Sequence, residues 1–238
     1  MRHFNSKLLL RAFHAAIMFG VLLFVANTSH ATTLTFEKIT ANNNIDLSGQ
    51  LSVEMTEVTG GVEFKFINNV GLDSSLTDIY FDLGLAGNET IGSNTLFSGF
   101  DIIADSDTLA VTTDVFFQPD ATPVVLPAGN PLNFTSDYDA DAPKPKQGLD
   151  QGGEWVTFLA TLGTGYSYDS ALNAIFDGSL RIGLHIQSIG DACSNGDSAC
   201  SDSSSYTNVS TVPVPAAAWL FGTALFGFLA ASRRKNKS

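Results

Sequence analysis

The stretch GQLSVEMTEV-TG-GVEFKFINN alternates apolar and polar residues on both sides of a glycine turn. Leu51, Val53 and Met55 share one side of the first run, with Ser52, Glu54 and Thr56 on the other. Val62, Phe64 and Phe66 repeat the pattern against Glu63 and Lys65. A period of two places alternate side chains on opposite faces of an extended chain, so each run predicts a strand with one buried face. Two such runs around Thr59-Gly60-Gly61 predict a β-hairpin.

The same period recurs along the chain. TLTFEKI (33–39) alternates through Leu34 and Phe36 and, less cleanly, Ile39. SLTDIYFDLG (75–84) turns Ile79, Phe81 and Leu83 inward. LRIGLHIQSI (180–189) puts Leu180, Ile182, Leu184 and Ile186 on one face, and Arg181, His185 and Gln187 on the other. EWVTFLATL (154–162) is more continuously apolar and reads as a central strand. Only YDSALNAIFDG (168–178) changes period. Tyr168, Leu172, Ile175 and Phe176 fall at helical spacing, Asp169 or Ser170 can cap the start, and Gly178 can end it. The expected fold is all-β: a two-sheet antiparallel β-sandwich, jelly-roll-like, with one short helix crossing its end. The proline-punctuated 118–131 and the Asp/Pro/Gly-rich 135–153 read as loops at one rim, and Cys193 to Val212 as a Ser-rich loop and stalk.

The two ends carry a different pattern. Arg2, Lys7 and Arg11 precede an apolar run from Ala12 to Val25, and Ser29-His30-Ala31 follows. A positive head, an apolar run and a small-x-small site are the layout of a secretory signal peptide, expected to be cleaved between Ala31 and Thr32. At the other end, Ala216 to Ala231 carries no charge. As a helix it would rise about 24 Å, slightly short of the roughly 30 Å of a bilayer core. Arg233, Arg234, Lys235 and Lys237 then form a basic stop, expected on the cytoplasmic side. Pro213 and Pro215 disfavour helix just before the span and hold the chain extended above the membrane. The expected division is a signal peptide (1–31), an ectodomain (32–207), and a stalk with sorting segment (208–238) that includes the span (216–232) and basic tail (233–238).

The order Val212-Pro213-Val214-Pro215-Ala216-Ala217, then Trp219-Leu220-Phe221-Gly222, an apolar helix and Arg-Arg-Lys, resembles the PEP-CTERM sorting domain of Gram-negative bacteria. The variant here is V-P-x-P-A-A, with Val214 in place of the glutamate that gives the domain its name. The resemblance covers 212–238. It implies an exosortase-like membrane enzyme as processing partner, after signal peptidase and the secretion machinery. It also implies transient anchoring in the inner membrane, then release to the cell surface or an exopolysaccharide matrix. The body (G-Q-L-S-V-E, T-D-I-Y-F-D, L-R-I-G-L-H-I-Q-S-I-G) resembles the β-rich ectodomains that such proteins often carry.

Composition bounds the chemistry. All 24 acidic residues lie between Thr32 and Val212, against five basic ones (Lys38, Lys65, Lys144, Lys146, Arg181), a formal charge of −19 for that part. Such a surface repels phosphate backbones, and nucleic acid is not an expected partner. Cys193 and Cys200 are the two cysteines, and an oxidising compartment makes a disulfide between them the expectation.

Nucleophilic catalysis needs a base beside the nucleophile. His185, the one histidine left after the expected processing, sits on the polar side of a strand, away from any Gly-x-Ser-x-Gly turn. No phosphate-cradling loop is present. Asp137, Asp139 and Asp141 are candidate calcium ligands, since alternate carboxylates can converge on a hard cation. Asp101, Asp105 and Asp107 form a weaker second group. Tyr138, Tyr166 and Tyr168 can stack on sugar rings. The expectation is a non-catalytic, structural or glycan-interacting protein without a resident cofactor. A polysaccharide-acting hydrolase with a carboxylate pair and a calcium-dependent adhesion module stand as alternatives.

Overall fold

A computed structural model describes residues 30–85, 91–92, 94–106, 115–121, 123–129, 132–190 and 202–209. The expectations for Ser29, for Cys193 and Cys200, for Val212 to Ala216 and for the basic tail lie outside these residues. Ala31 and Thr32 lie within them, in the first strand. Met1–His30 and Ala31–Ser238 are separate units, and the described strands and helix all belong to the second.

Eleven strands form two antiparallel sheets among the described residues. They are β1 (Ala31–Leu34), β2 (Phe36–Lys38), β3 (Leu51–Val58), β4 (Gly61–Asn68), β5 (Ser75–Asp82) and β6 (Phe97–Asp105), followed by β7 (Gln118–Pro119), β8 (Tyr138–Asp141), β9 (Trp155–Leu162), β10 (Arg181–Gln187) and β11 (Ser204–Asn208). One sheet runs β1-β3-β4-β9-β6 and the other β2-β11-β10-β5-β8-β7. The single α-helix among the described residues, α1, spans Tyr168–Asp177.

The predicted hairpin forms in register from Leu51↔Asn68 to Val58↔Gly61. Gly60 takes a φ of 78°, a conformation that a side chain would strain, and so permits the tight reversal. Leu51, Val53 and Met55, with Val62, Phe64 and Phe66, are all buried. Strand β9 lies between β4 and β6, an interior position that its apolar run anticipates. From the second sheet, Ile79, Phe81, Leu180, Ile182, Leu184 and Ile186 enter the same core.

Phenylalanines join the sheets. Phe81 of β5 meets Phe64 at 5.3 Å and Phe66 at 5.9 Å, both edge to face. Phe66 in turn meets Phe158 at 5.3 Å. Such pairs add about 0.5–1.5 kcal/mol each beyond the area they bury. The arrangement is sandwich-like.

Three expectations change. The run 33–39 is two strands, not one. β1 pairs with β3 in the first sheet and β2 with β11 in the second, so the chain changes sheets at Thr35. Leu34 and Phe36 are both buried because each strand turns one residue into the shared core.

The Ser-rich stretch after Cys193 contains a strand. Ser204–Asn208 is buried throughout and pairs with both β10 and β2. Its small hydroxylated residues carry little apolar signal. Tyr206 anchors it: the ring is fully buried, and its hydroxyl accepts from the Leu47 amide at 3.0 Å.

The stretches 118–131 and 135–153 do not simply form a rim. β7 and β8 extend the second sheet, and the segment between them folds over that sheet's outer face. Leu126, Phe134 and Ala121 form a second small core there with Tyr80 and the partly buried Ile39. Gly183 of β10 permits this approach, because a Cβ there would lie 2.6 Å from Leu126 Cδ2. Arg181 holds the segment down. It donates to the carbonyls of Leu132 (2.7 Å) and Asn133 (2.8 Å) and forms an ion pair with the buried Asp82. Leu126 and Phe134 explain the choice, since packing them against Tyr80 removes from water an apolar surface that a rim would expose, while Val124 and Val125 stay exposed. As a result β5 is buried along its whole length, on both faces.

Candidate functional site

The helix fixes one end of the site. Ser167 is its N-cap, in extended conformation, and Ser170 completes a reciprocal capping box. The cap is thus two to three residues earlier than the pattern at Asp169 or Ser170 suggests, because Ser167 presents its hydroxyl to the Ser170 amide at 3.3 Å. At the other end Gly178 adopts the left-handed conformation, as predicted, and Leu180 returns its amide to the Ala174 carbonyl at 2.9 Å. This turn passes the chain directly into β10.

Beside α1 lies an open cleft of about 410 Å3. Its walls are the segment 83–85 after β5, the segment 94–96 before β6, and α1 with its flanking residues. That volume falls within the range of small-molecule sites, roughly 300–1,000 Å3. Leu83, Leu85, Leu96 and Ala174 give it apolar surface; Asn94, Asn173 and Asp177 give it planar polar groups. Tyr166 also lines it, 41% exposed, with its hydroxyl 3.5 Å from the Asn94 carbonyl. Asp177 Oδ1 accepts from the Ser179 hydroxyl at 2.6 Å and from the Ser179 amide at 2.9 Å. These two bonds hold its carboxyl below the usual carboxylate range and orient it.

Of the three tyrosines considered from sequence, only Tyr166 lines this cleft. Tyr168 is buried, its hydroxyl donating to the Met55 carbonyl at 3.2 Å. Tyr138 stacks on Phe100 at 4.6 Å, and burial with the nearby charges of Asp101, Asp139 and Asp120 pushes its phenol up to about 12. Tyr138 and Tyr168 pack against the main core and are not free to stack on a ligand.

Of the candidate calcium ligands, Asp137 lies just before β8, and Asp139 and Asp141 lie on it. Asp137 accepts from the Leu83 amide at 2.7 Å, and Asp139 from the Ala121 amide at 2.6 Å. Asp141 lies opposite Asp78 in the sheet. Among the described residues, no three His, Cys, Asp or Glu side chains come together as a metal-holding group. Asp101 and Asp105 lie on β6, where the ladder to β9 is twice irregular, and Asp107 is outside the described residues.

A polar row crosses the outer face of the second sheet. Ser205, His185, Asp78 and Asp141 are successive cross-strand neighbours on β11, β10, β5 and β8. His185 is only 7% exposed, although its polar-side position suggests a solvent-facing residue. Its Nδ1 lies 3.1 Å from Ser205 Oγ, and burial lowers its pKa from 6.5 to about 4. Asp78, 2% exposed, accepts from Thr77 Oγ1 at 2.6 Å and from the Gln187 side chain. Burial first, then the charges of Asp141 and Asp139, raise its carboxyl to about 6. Ser, His and Asp are thus adjacent, but the aspartate takes its bonds from Thr77 and Gln187. The row resembles a triad in order and not in bonding, and it is closed to solvent where a nucleophile needs access.

Sequence reasoning missed Asn94, Asn173 and Asp177. The helical period assigns Asn173 and Asp177 to the solvent side of α1, but which loops face that side is a matter of the fold. Among the described residues no helix is long and apolar enough to cross a membrane; Ala216 to Ala231 lies outside them. Compared with known proteins, the chain matches no family model, no curated protein and no solved structure.

Proposed function

We propose that this chain is an exported, non-catalytic protein of the cell surface or extracellular matrix that binds glycan. In this reading the first 31 residues direct export, and the 212–238 tail holds the protein in the inner membrane until an exosortase-like enzyme acts near Val212 to Ala216. The ectodomain is then a jelly-roll-like sandwich, a description supported by how often the chain changes sheets: β1, β2 and β3 alternate between them, as do β4, β5, β6 and β7.

The observation that carries the binding role is the cleft beside α1. It joins an exposed aromatic ring, apolar side chains and planar amide and carboxylate groups in one small volume. Sugars have an apolar C–H face and a polar hydroxyl edge, and this mixture suits both. Binding is favoured over hydrolysis because Asp177 is the one carboxylate among the described residues lining the cleft, while glycosidases use a pair flanking the bond they break.

The test is a glycan-array screen of the protein recovered after export, in calcium and in chelator. Retained glycans that are released intact support the reading. Cleavage of a bound glycan would turn it toward a hydrolase, and binding with an unfolding midpoint that depends on calcium would turn it toward an adhesion module. No retention on any glycan would overturn it.

A further inference from the structure

Resting on the glycan-binding reading, we infer that the cleft beside α1 selects uncharged glycans by their hydroxyl groups and excludes those bearing uronate, sulfate or phosphate. No lysine, arginine or histidine is among the described residues that line the cleft. Recognition of an anionic sugar ordinarily rests on such groups, with bidentate arginine the strongest.

The field inside the cleft also has the wrong sign for an anion. Asp177 is in the last turn of α1, where the helix dipole is negative. Its carboxyl stays ionised because Ser179 donates to it twice. An approaching uronate would meet the carboxylate and the helix terminus together, on an ectodomain that carries an excess of acidic residues.

Hydroxyl groups meet the opposite situation. Both Ser179 bonds go to Asp177 Oδ1, so Oδ2 remains as an oriented acceptor for a sugar O–H. Asn173 lies one turn earlier on the same helix, and residues four apart share a face. Its amide can donate to one hydroxyl oxygen while its carbonyl accepts from the next. Asp177 and Asn173 together therefore fit a pair of neighbouring hydroxyls. The 94–96 wall supplies a second amide from Asn94, and Tyr166 an exposed ring for the C–H face.

A cationic ligand would also tolerate this field. A quaternary amine is disfavoured here because its sites surround the charge with several aromatic faces, and Tyr166 is the one aromatic residue among the described lining. A primary ammonium, which a carboxylate alone can hold, is the competitor that the polyamine probes below test.

The experiment measures binding of the mature exported protein to three probe sets: neutral oligosaccharides, uronate- or sulfate-bearing oligosaccharides, and polyamines. Binding is followed by calorimetry at low and high salt. The expected result is binding of neutral oligosaccharides alone, little changed by salt, since screening acts on charged contacts. Asp177→Asn, Asn173→Ala and Tyr166→Ala should each weaken it by at least roughly tenfold, the cost of one good contact. Circular dichroism and the unfolding midpoint of each variant separate lost contacts from lost fold.

Preference for anionic glycans overturns the inference and leaves the glycan-binding reading standing. Neutral-glycan binding that all three variants retain also overturns it, by placing the site elsewhere. Binding of polyamines alone, or of none of the probes, overturns both.

Discussion

Replacing Asp78 with Asn, and separately His185 with Gln, should tilt the pH dependence of stability in opposite directions. The two residues lie opposite one another on β5 and β10 and are both buried. In the folded protein Asp78 titrates near 6 rather than 3.8. The folded state therefore holds a proton that the unfolded chain has released. The contribution of this carboxyl is fully present below about pH 4 and is lost as pH rises through about 6.

His185 behaves in the reverse sense. Its pKa falls from 6.5 to about 4 on folding, so the unfolded chain is the one that holds the extra proton. Its contribution is present above 6.5 and lost as pH falls toward 4. At about 1.36 kcal/mol per pH unit, each change amounts to about 3 kcal/mol across the same window. The two offset one another in the native protein.

Urea unfolding at intervals between about pH 4 and 7, extrapolated linearly, reads the result. Asp78→Asn removes the carboxylate and leaves His185, so its stability relative to the native protein should climb by about 3 kcal/mol across that range. His185→Gln should fall by about the same amount. Contributions from groups other than Asp78 and His185 are common to all three proteins and cancel in the differences to first order. A constant offset from altered hydrogen bonds at Thr77 or Ser205 does not affect the slopes. Were Asp78 and His185 instead an ion pair, the carboxyl would be lowered and the imidazole raised, and both slopes would reverse. Variant curves parallel to the native one, or tilted the opposite way, are incompatible with two independently buried groups.

Other substitutions probe the fold itself. Gly148→Ala would drive a Cβ into the Leu76 carbonyl oxygen, a backbone atom that cannot step aside, and should cost about 1–3 kcal/mol in urea unfolding. Ser167→Ala removes the N-cap of α1 and should lower stability by about 1 kcal/mol by the same assay. Phe81→Ala empties the place where rings from both sheets meet, and a loss of about 3–5 kcal/mol in thermal or chemical unfolding is expected. For the proposed processing, intact-mass analysis of surface material should find a chain that begins at Thr32 and lacks Arg233 to Ser238; a mature protein that keeps the basic end would mean permanent anchoring.

Which residues of β3, β4 and β10 turn inward, where the hairpin reverses, and where α1 ends at Gly178 all follow from the order of amino acids. These are local matters: an extended chain shows its faces every two residues, a helix about every 3.6, and glycine marks a backbone that other residues avoid. Long-range pairing set the rest. Only the partners β3 and β11 split 33–39 at Thr35, and only pairing with β10 and β2 makes a strand of Ser204–Asn208. His185 reads as a polar-side residue and is nonetheless buried, on a sheet whose outer face takes the Leu126 and Phe134 segment. Asn94 and Asn173 are far apart in the chain, yet line one cleft because the segment leading into β6 runs beside the helix. Period tells a residue which side it is on; what lies against that side depends on chain brought from far along the sequence.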